Sequence, residues 1–303
     1  MLASLVLSGA LLTGTSVTAF AAGDVSHTAV NDASQNKGGI FYTDYATPDD
    51  LMDAAKELAE EISEEGMVLM QNERNTLPLE KGMRVSVFGK SSVNPAYGGG
   101  GSGALIGVTP VSLYDGLHNA GFKTNGVLES FYNNNALSGT GRSDKTYTNE
   151  TPVSAYTEGI TSSYDAYNDA AIVVLTRTGA EGSDLPRTGN ENDEGARYLS
   201  VTDDEVALID HVNKYFDKVI VLVNSSNTIE LGKIKNKVDS ILWVGNPGER
   251  GFNSVGRILN GEVNPSGKLV DMYVNDLTMD PTWANFGNNS QNNYRNDNFH
   301  QGE

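Results

Sequence analysis

The sequence predicts an α/β fold in which helices cover both faces of a mainly parallel sheet. Short apolar runs alternate along the chain with segments of helical periodicity, which is the order expected of such a fold. The runs are apolar at nearly every position, as in parallel strands that are buried on both faces, and they read MVLMQ, RVSVFG, AAIVVLTR, KVIVLVN and VDSILWVG. With 303 residues and 38% hydrophobic content, the chain is large enough to bury this core.

The first residues form an apolar leader, residues 1–22, which precedes a polar linker at residues 23–46. The leader ends near Ala19-Phe20-Ala21, a sequence that fits the A-x-A pattern of signal-peptide cleavage sites. It therefore predicts an exported protein, extracellular or in the cell envelope. No Lys or Arg precedes the apolar run, so either Met1 is not the natural start or the segment is a poor signal. The alternative is a buried N-terminal helix, which the Gly and Thr residues of the segment disfavour.

The folded part, residues 47–275, is predicted to begin with a helix. Thr47 suits the N-cap, Pro48 the first turn, and Gly66 the end of this helix. Its apolar residues recur at helical spacing and predict one buried stripe, made of Leu51, Ala55, Leu58 and Ile62.

Further helices are predicted between the apolar runs, in PVSLYDGLHNAG, TDDEVALIDHVNKYF and FNSVGRILNG. In the second of these, Thr202 and Glu205 have the spacing of a capping box, and one face is apolar, formed by Val206, Ile209, Val212 and Phe216. Residues 130–165 are polar and indicate an insertion. Residues 276–303 form a polar, Asn-rich tail that is expected to be disordered or to lead into further chain.

Composition excludes several classes of function. A net charge of −18 repels phosphate backbones, so nucleic acid is not an expected partner. The chain has no cysteine, and its four histidines lie at none of the short spacings of a local metal motif, so no metal site is predicted. The calcium-like stretch NENDEG has Val201 where an EF-hand requires glutamate.

Two glycine motifs resemble nucleotide sites but fail in detail. GKSS follows a strand as a P-loop would, yet Arg84 stands where the first glycine of that motif belongs. In GSGALIG the third glycine, Gly107, comes one residue too late for the dinucleotide pattern. A nucleotide-binding α/β domain is therefore the weakest of the interpretations considered.

Two loops that follow predicted strands are candidate sites. AYGGGGSGAL, with glycines from Gly98 to Gly103, is either a flexible linker or a loop that approaches a ligand closely through its backbone. Glu181, in TRTGAEGSDLP, lies beyond the carboxyl end of the strand AAIVVL, where α/β sheets bind ligands. From its local sequence alone, Glu181 is equally well a solvated carboxylate or a functional one.

Five blocks of sequence, in order, resemble the second domain of glycoside hydrolase family 3. The resemblance spans Leu51 to Asn275 and rests on EGMVLMQNERNTLPL, VFGKSSVNPAYGGGGSGAL, AIVVLTRTGAEGSDLP, VIVLVNSSNTIEL and WVGNPGERGFNSVGRILNGEVNPSGKLVDMY. It implies an (α/β)6 sandwich that packs against a (β/α)8 barrel, with the active site between the two domains. In that family the barrel supplies the nucleophilic aspartate. Nothing before Leu51 or after Asn275 is long enough for that barrel, which needs ~200 residues or more. The chain is therefore expected to be a truncated member or one with its domains in swapped order.

The resemblance also implies roles for individual residues. Glu181 corresponds to the general acid/base of a retaining β-glycosidase that acts on β-glucosides or β-xylosides, and no metal or organic cofactor is implied. The residues expected to contact substrate, or to lie beside Glu181, are Gly99, Gly100, Gly101, Ser102, Asp184 and Arg177. Alone, the chain is expected to be inactive, since retaining hydrolysis needs two carboxylates. The alternative is a non-catalytic carbohydrate-binding or structural domain.

Overall fold

The computed structural model describes residues 44–134, 149–179, 185, 187 and 196–285. The chain divides into two compact units, one of residues 1–58 with 106–108, the other of residues 59–105 with 109–303. Helix α1, Pro48–Gly66, begins in the first unit and ends in the second. Its N-terminus is capped as predicted, since Thr47 Oγ1 accepts a 3.1 Å hydrogen bond from the Asp50 amide.

The buried stripe predicted for α1 is wrong. Leu51, Leu58 and Ile62 are 36%, 54% and 63% exposed, and no residue of the helix is buried. Helical spacing of apolar residues identifies an apolar face but does not say what covers it. In the described part of the chain this face stays open to solvent.

The second unit is built on a six-stranded sheet with the order β1-β6-β5-β4-β2-β3. All neighbouring strands are parallel except β1 and β6, which run antiparallel. The strands are β1 (Val68–Asn72), β2 (Arg84–Phe88), β3 (Lys123–Thr124), β4 (Ala170–Arg177), β5 (Val219–Ser225) and β6 (Ser240–Trp243). Every residue of β4 and of β5 is buried, as the uninterrupted apolar runs predicted.

Helices cover both faces of this sheet, which confirms the predicted sandwich. They are α2 (Leu113–Asn119), α3 (Gly126–Asn134), α4 (Glu158–Thr161), α5 (Asp203–Val212) and α6 (Gly251–Leu259). Alternate residues of β4 enter separate cores: Ile172 and Val174 pack with residues of α2 and α6, whereas Val173 and Leu175 pack with residues of α3 and α5. The capping box of α5 is present between Thr202 and Glu205.

Because β2, β4, β5 and β6 are parallel, their carboxyl ends meet at one edge of the sheet, and the loops that follow them share that edge. These loops include the glycine-rich segment after β2 and the segment after β4 that leads to Glu181. Among the described residues, no helix has the length and apolar character needed to cross a membrane.

Candidate functional site

The segment after β4 carries the acid/base residue implied by the sequence. Glu181 and Asp184 both lie outside the described residues, but the chain on either side of them is described. Thr178 and Gly179 precede Glu181, and Leu185 and Arg187 follow it. The structure shows what holds these flanking residues.

Arg177, the last residue of β4, is fully buried and does not point to a ligand. Its guanidinium forms two hydrogen bonds with the carboxylate of Glu205, at 2.7 and 2.8 Å. Its remaining N–H groups donate to backbone carbonyls, those of Thr176, Tyr198 and Ser200. All five donors of the guanidinium are thus used within the protein, which leaves none for the substrate contact expected of this residue.

Arg177 instead joins the two ends of the loop that contains Glu181. The loop leaves the sheet at Arg177 and returns through Tyr198 and Ser200, whose carbonyls Arg177 binds. Burial alone would lower the pKa of Arg177, but the neighbouring Glu205 carboxylate outweighs this effect and holds the pKa above its ordinary value. The guanidinium is therefore charged, and its hydrogen bonds fix the base of the loop.

The glycine loop is a tight turn whose shape requires glycine at two positions. A Cβ atom on Gly98 would lie 2.7 Å from the carbonyl oxygen of Gly103, closer than real side chains come. Gly101 has a φ of +68°, in the left-handed region that favours glycine. Gly99 and Gly100 are half-buried, and Ser102 is exposed. The residues predicted to contact substrate thus form an ordered surface turn, and this geometry does not fit a flexible linker.

The glycine loop and the Glu181 loop touch through their backbones. The amide of Gly100 donates a 3.2 Å hydrogen bond to the carbonyl oxygen of Gly179, two residues before Glu181. Gly99 is also close to this carbonyl oxygen, because a Cβ atom added to Gly99 would lie 3.9 Å from it. The structure therefore brings together the two loops that the sequence singled out separately.

Asn224, near the end of β5, organises this edge of the sheet. Its Oδ1 accepts hydrogen bonds from the Ala96 amide at 2.7 Å and from the Thr176 hydroxyl at 3.1 Å. Its Nδ2 donates to the carbonyls of Ala96 and Gly245, at 2.8 and 2.6 Å. One buried amide thus connects β4, β5, the glycine loop and the loop after β6. The sequence carried a signal that was missed: a polar residue ends the otherwise apolar run VIVLVN.

A second residue absent from the sequence prediction is Glu150, which is buried behind the turn after β2. Its carboxylate accepts hydrogen bonds from the backbone amides of Lys90 and Thr151. Burial nevertheless raises the pKa of Glu150 to about 7, because those amides offset only part of the cost of desolvation. Glu150 follows a polar stretch without apolar periodicity, so nothing in the sequence predicted its burial.

The far side of the Glu181 loop rests on the segment near Trp283. Leu185 belongs to a small apolar cluster with Tyr198, Leu199 and Leu277, against which Trp283 packs. The guanidinium of Arg187 lies over the Trp283 ring, 5.4 Å from its centroid. The two described residues that follow Glu181 before Ala196, Leu185 and Arg187, are therefore both packed against this segment.

The phosphate-loop resemblance at Gly89 has a packing explanation. Gly89 has a φ of +98°, and a Cβ at this position would lie 2.8 Å from the carbonyl oxygen of Val174 on β4. Glycine is thus required for close approach to the neighbouring strand. The described residues contain no group of three acidic or histidine side chains that could hold a metal ion, and the NENDEG stretch lies outside them.

Comparison with known proteins agrees with this architecture. The profile of the glycosyl hydrolase family 3 C-terminal domain matches residues 67–302. The chain is 32% identical to beta-glucosidase A of Butyrivibrio fibrisolvens over 76% of its own length, and 33% identical to a beta-glucosidase of Ruminococcus albus over 80%. These matches cover 30% and 25% of the two enzymes, so the chain spans less than a third of either.

Solved structures show the same likeness. A beta-glucosidase from Paenibacillus barengoltzii superposes with a TM-score of 0.65 at 29% identity, over 77% of this chain and 26% of that one. Beta-glucosidase 3B from Thermotoga neapolitana, solved in complex with glucose, superposes with a TM-score of 0.64 at 29% identity, over 79% of this chain and 33% of that one. In each case the chain corresponds to one part of a longer protein.

Proposed function

Because this chain belongs to glycoside hydrolase family 3, matching the C-terminal domain of that family, we propose that it is the acid/base-bearing domain of a retaining β-glycosidase. The observation that carries the proposal is the meeting of two loops at the carboxyl edge of the sheet. The glycine loop is hydrogen-bonded to Gly179, and Glu181 follows two residues later. We infer that the carboxyl group of Glu181 acts beside this glycine backbone, which is suited to close contact with a sugar.

In this mechanism Glu181 acts twice. It first donates a proton to the glycosidic oxygen as the bond to the sugar breaks, and it then accepts a proton from the water that releases the sugar from the enzyme. The nucleophilic aspartate comes from a (β/α)8 barrel domain and stands about 5–5.5 Å from the acid/base carboxyl group. The longer relatives support a second domain, and their names support β-glucosides as substrates.

The described residues contribute position rather than chemistry. Arg177 and Glu205 fix the base of the Glu181 loop, and Asn224 fixes the glycine loop against the sheet. Precise placement matters because a general acid acts only within hydrogen-bonding reach of the leaving oxygen. A buried framework that holds the described ends of both loops supports this role.

The test compares Glu181→Ala with the wild type in the full gene product, on substrates with different leaving groups. A disaccharide needs a proton on its leaving oxygen, so its hydrolysis should fall by about 10²–10⁴-fold, whereas a dinitrophenyl glucoside should form the covalent intermediate almost as before. Azide, which needs no general base, should restore turnover and give a glycosyl azide of retained configuration. Equal losses on both substrates without azide rescue would overturn the proposal, and Asp184 and Glu191 would be tested next.

The competing function is a non-catalytic carbohydrate-binding or structural domain. A gene product without glycosidase activity, whose Glu181→Ala variant binds saccharides as the wild type does, would favour it.

Export is tested separately. We infer that residues 1–22 are a signal peptide, and mass spectrometry of the secreted protein should find a mature chain that lacks them.

A further inference from the structure

A cavity of about 330 Å³ opens at the carboxyl ends of β5 and β6. Its volume lies at the lower end of the ~300–1,000 Å³ typical of small-molecule sites. Its walls come from the loop after β5, from Trp243 at the end of β6, and from the segment between Lys268 and Trp283. Ligands of α/β sheets bind beyond the carboxyl ends of strands, so the cavity has the position of a binding site.

Three aromatic side chains line this cavity, namely Trp243, Tyr273 and Trp283. They are held in place by the protein. Tyr273 donates a 3.3 Å hydrogen bond to the carbonyl of Asn227 and is also hydrogen-bonded to the Trp243 side chain. Arg187 lies over the ring of Trp283. Fixed rings lose little conformational freedom when a ligand stacks on them.

The same cavity has charged side chains with hydrogen-bonding capacity to spare. Asp280 accepts from the amide and hydroxyl of Thr282 through Oδ1 only, and Asp271 accepts from the Met272 amide through Oδ1 only. Among the described residues, the second oxygen of each carboxylate and the ammonium of Lys268 have no partner. Carboxylates accept from hydroxyl groups, and an ammonium donates to them.

We propose that this cavity binds one pyranose unit of a neutral saccharide. The C–H groups on one face of a β-glucopyranose ring are apolar and weakly positive, so they stack on the electron-rich face of an indole. The hydroxyl groups at the ring edge are hydrogen-bonded by Asp271, Asp280 and Lys268. A neutral sugar is favoured over a sugar acid or phosphate because two carboxylates line the cavity and the whole chain carries a net charge of −18.

The proposal rests on the cavity itself and not on the role of Glu181. Saccharide binding here requires neither a barrel domain nor an intact acid/base residue. Binding with loss of catalysis, or catalysis with loss of binding, would therefore separate the two proposals.

The chain offers a direct probe, because Trp243 and Trp283 are its only two tryptophans and both line the cavity. Titration of the 303-residue chain with methyl β-D-glucoside or cellobiose should give a saturable change in tryptophan fluorescence, with a Kd on the order of 1 mM for so small a ligand. Glucuronate at the same ionic strength should bind at least about tenfold more weakly, because its carboxylate meets Asp271 and Asp280.

Variants identify the site. Asp280→Asn keeps both fluorophores and should weaken binding about tenfold or more, while Asp217→Asn, in the turn between α5 and β5, is the matched control and should leave the Kd unchanged. Trp243→Phe and Trp283→Phe separate the two signals, and circular dichroism verifies that each variant is folded.

No saturable change up to about 100 mM sugar, a hundredfold excess over the expected Kd, would overturn the proposal. Resistance of both tryptophans to acrylamide quenching in the sugar-free protein would do the same, since it would show that another part of the chain fills the cavity. Equal affinity in Asp280→Asn and the wild type would place any observed binding elsewhere.

Discussion

The amide nitrogen of Gly100 lies 3.2 Å from the carbonyl oxygen of Gly179 and donates a hydrogen bond to it. This contact joins the loop after β2 to the loop after β4 through main-chain atoms alone. Its geometry depends on the backbone path of the glycine turn rather than on any side chain. We therefore expect substitutions that change this path to shift the position of Glu181.

Substitution of Gly98 by alanine tests whether the turn tolerates a side chain. A Cβ atom there would meet the Gly103 carbonyl oxygen at 2.7 Å, so we expect Gly98→Ala to lower the free energy of unfolding by about 1–3 kcal/mol. Gly103→Ala is the matched control, since nothing lies within 4 Å of its Cβ. Urea denaturation measures both, and equal effects of the two variants would show that the turn is not close-packed.

The role of Asn224 is tested by a substitution that keeps the shape of the side chain but replaces its hydrogen-bond donor by an acceptor. In Asn224→Asp an oxygen replaces the Nδ2 donor and faces the carbonyls of Ala96 and Gly245. We expect a loss of about 2–4 kcal/mol in unfolding free energy at neutral pH, larger than for Asn224→Leu, which introduces no repulsion. If the aspartate variant were as stable as the wild type, Asn224 would not organise the sheet edge.

Because Arg177 and Glu205 form a buried ion pair, we expect the losses of unfolding free energy from substituting each of them to be non-additive. Arg177→Met leaves the buried Glu205 carboxylate without its counter-ion and should cost about 3–5 kcal/mol. Adding Glu205→Gln removes that charge but keeps an oxygen for the Thr202 amide, so the double variant should regain at least about 1 kcal/mol. Strictly additive losses in thermal or urea unfolding would contradict a charged buried pair.

Glu150 predicts a dependence of stability on pH. Its folded-state pKa of about 7 lies above the ordinary glutamate value of 4.5, so the folded protein holds this proton more tightly than the unfolded chain does. Stability should therefore fall by up to roughly 3 kcal/mol as pH rises from 4.5 to 7. Glutamine does not titrate, so the Glu150→Gln variant escapes this loss. Its stability relative to the wild type should therefore increase over the same pH interval.

Urea unfolding of both proteins at about pH 5 and pH 8 measures this difference. Other groups that titrate in the interval, such as the buried His211, whose pKa burial lowers, are common to both proteins and cancel in the comparison. A difference that stays constant with pH would show that Glu150 is ionised throughout.

The sequence predicted the strands better than their surroundings. AAIVVLTR and KVIVLVN became the fully buried strands β4 and β5, because an uninterrupted apolar run can be buried only where both faces are covered. The two-residue strand β3 has no such run, and no pattern in β1 specifies its antiparallel direction. Helix α1 was placed correctly, but its apolar face was wrongly expected to be buried.

Within the site, the sequence located the loops but not what holds them. Arg177 was expected to contact substrate because it adjoins Glu181 in the chain, whereas the structure uses it for Glu205, 28 residues away. Asn224 and Glu150 act through contacts with residues distant in sequence, which no local motif encodes. The positions of Glu181 and Asp184 remain predictions, since both lie outside the described residues.

The irregular pairing of β1 bears on how copies of this protein behave at high concentration. Opposite β6, Leu69 pairs with Leu242 but Gln71 already pairs with Ile241, so Met70 is an extra residue that bends the strand. In the described sheet, β1 is an edge strand, and a regular edge can recruit strands from neighbouring molecules. The bulge interrupts the row of amides and carbonyls that an incoming strand would need. We therefore expect this edge to resist the strand-to-strand assembly that leads to fibrils.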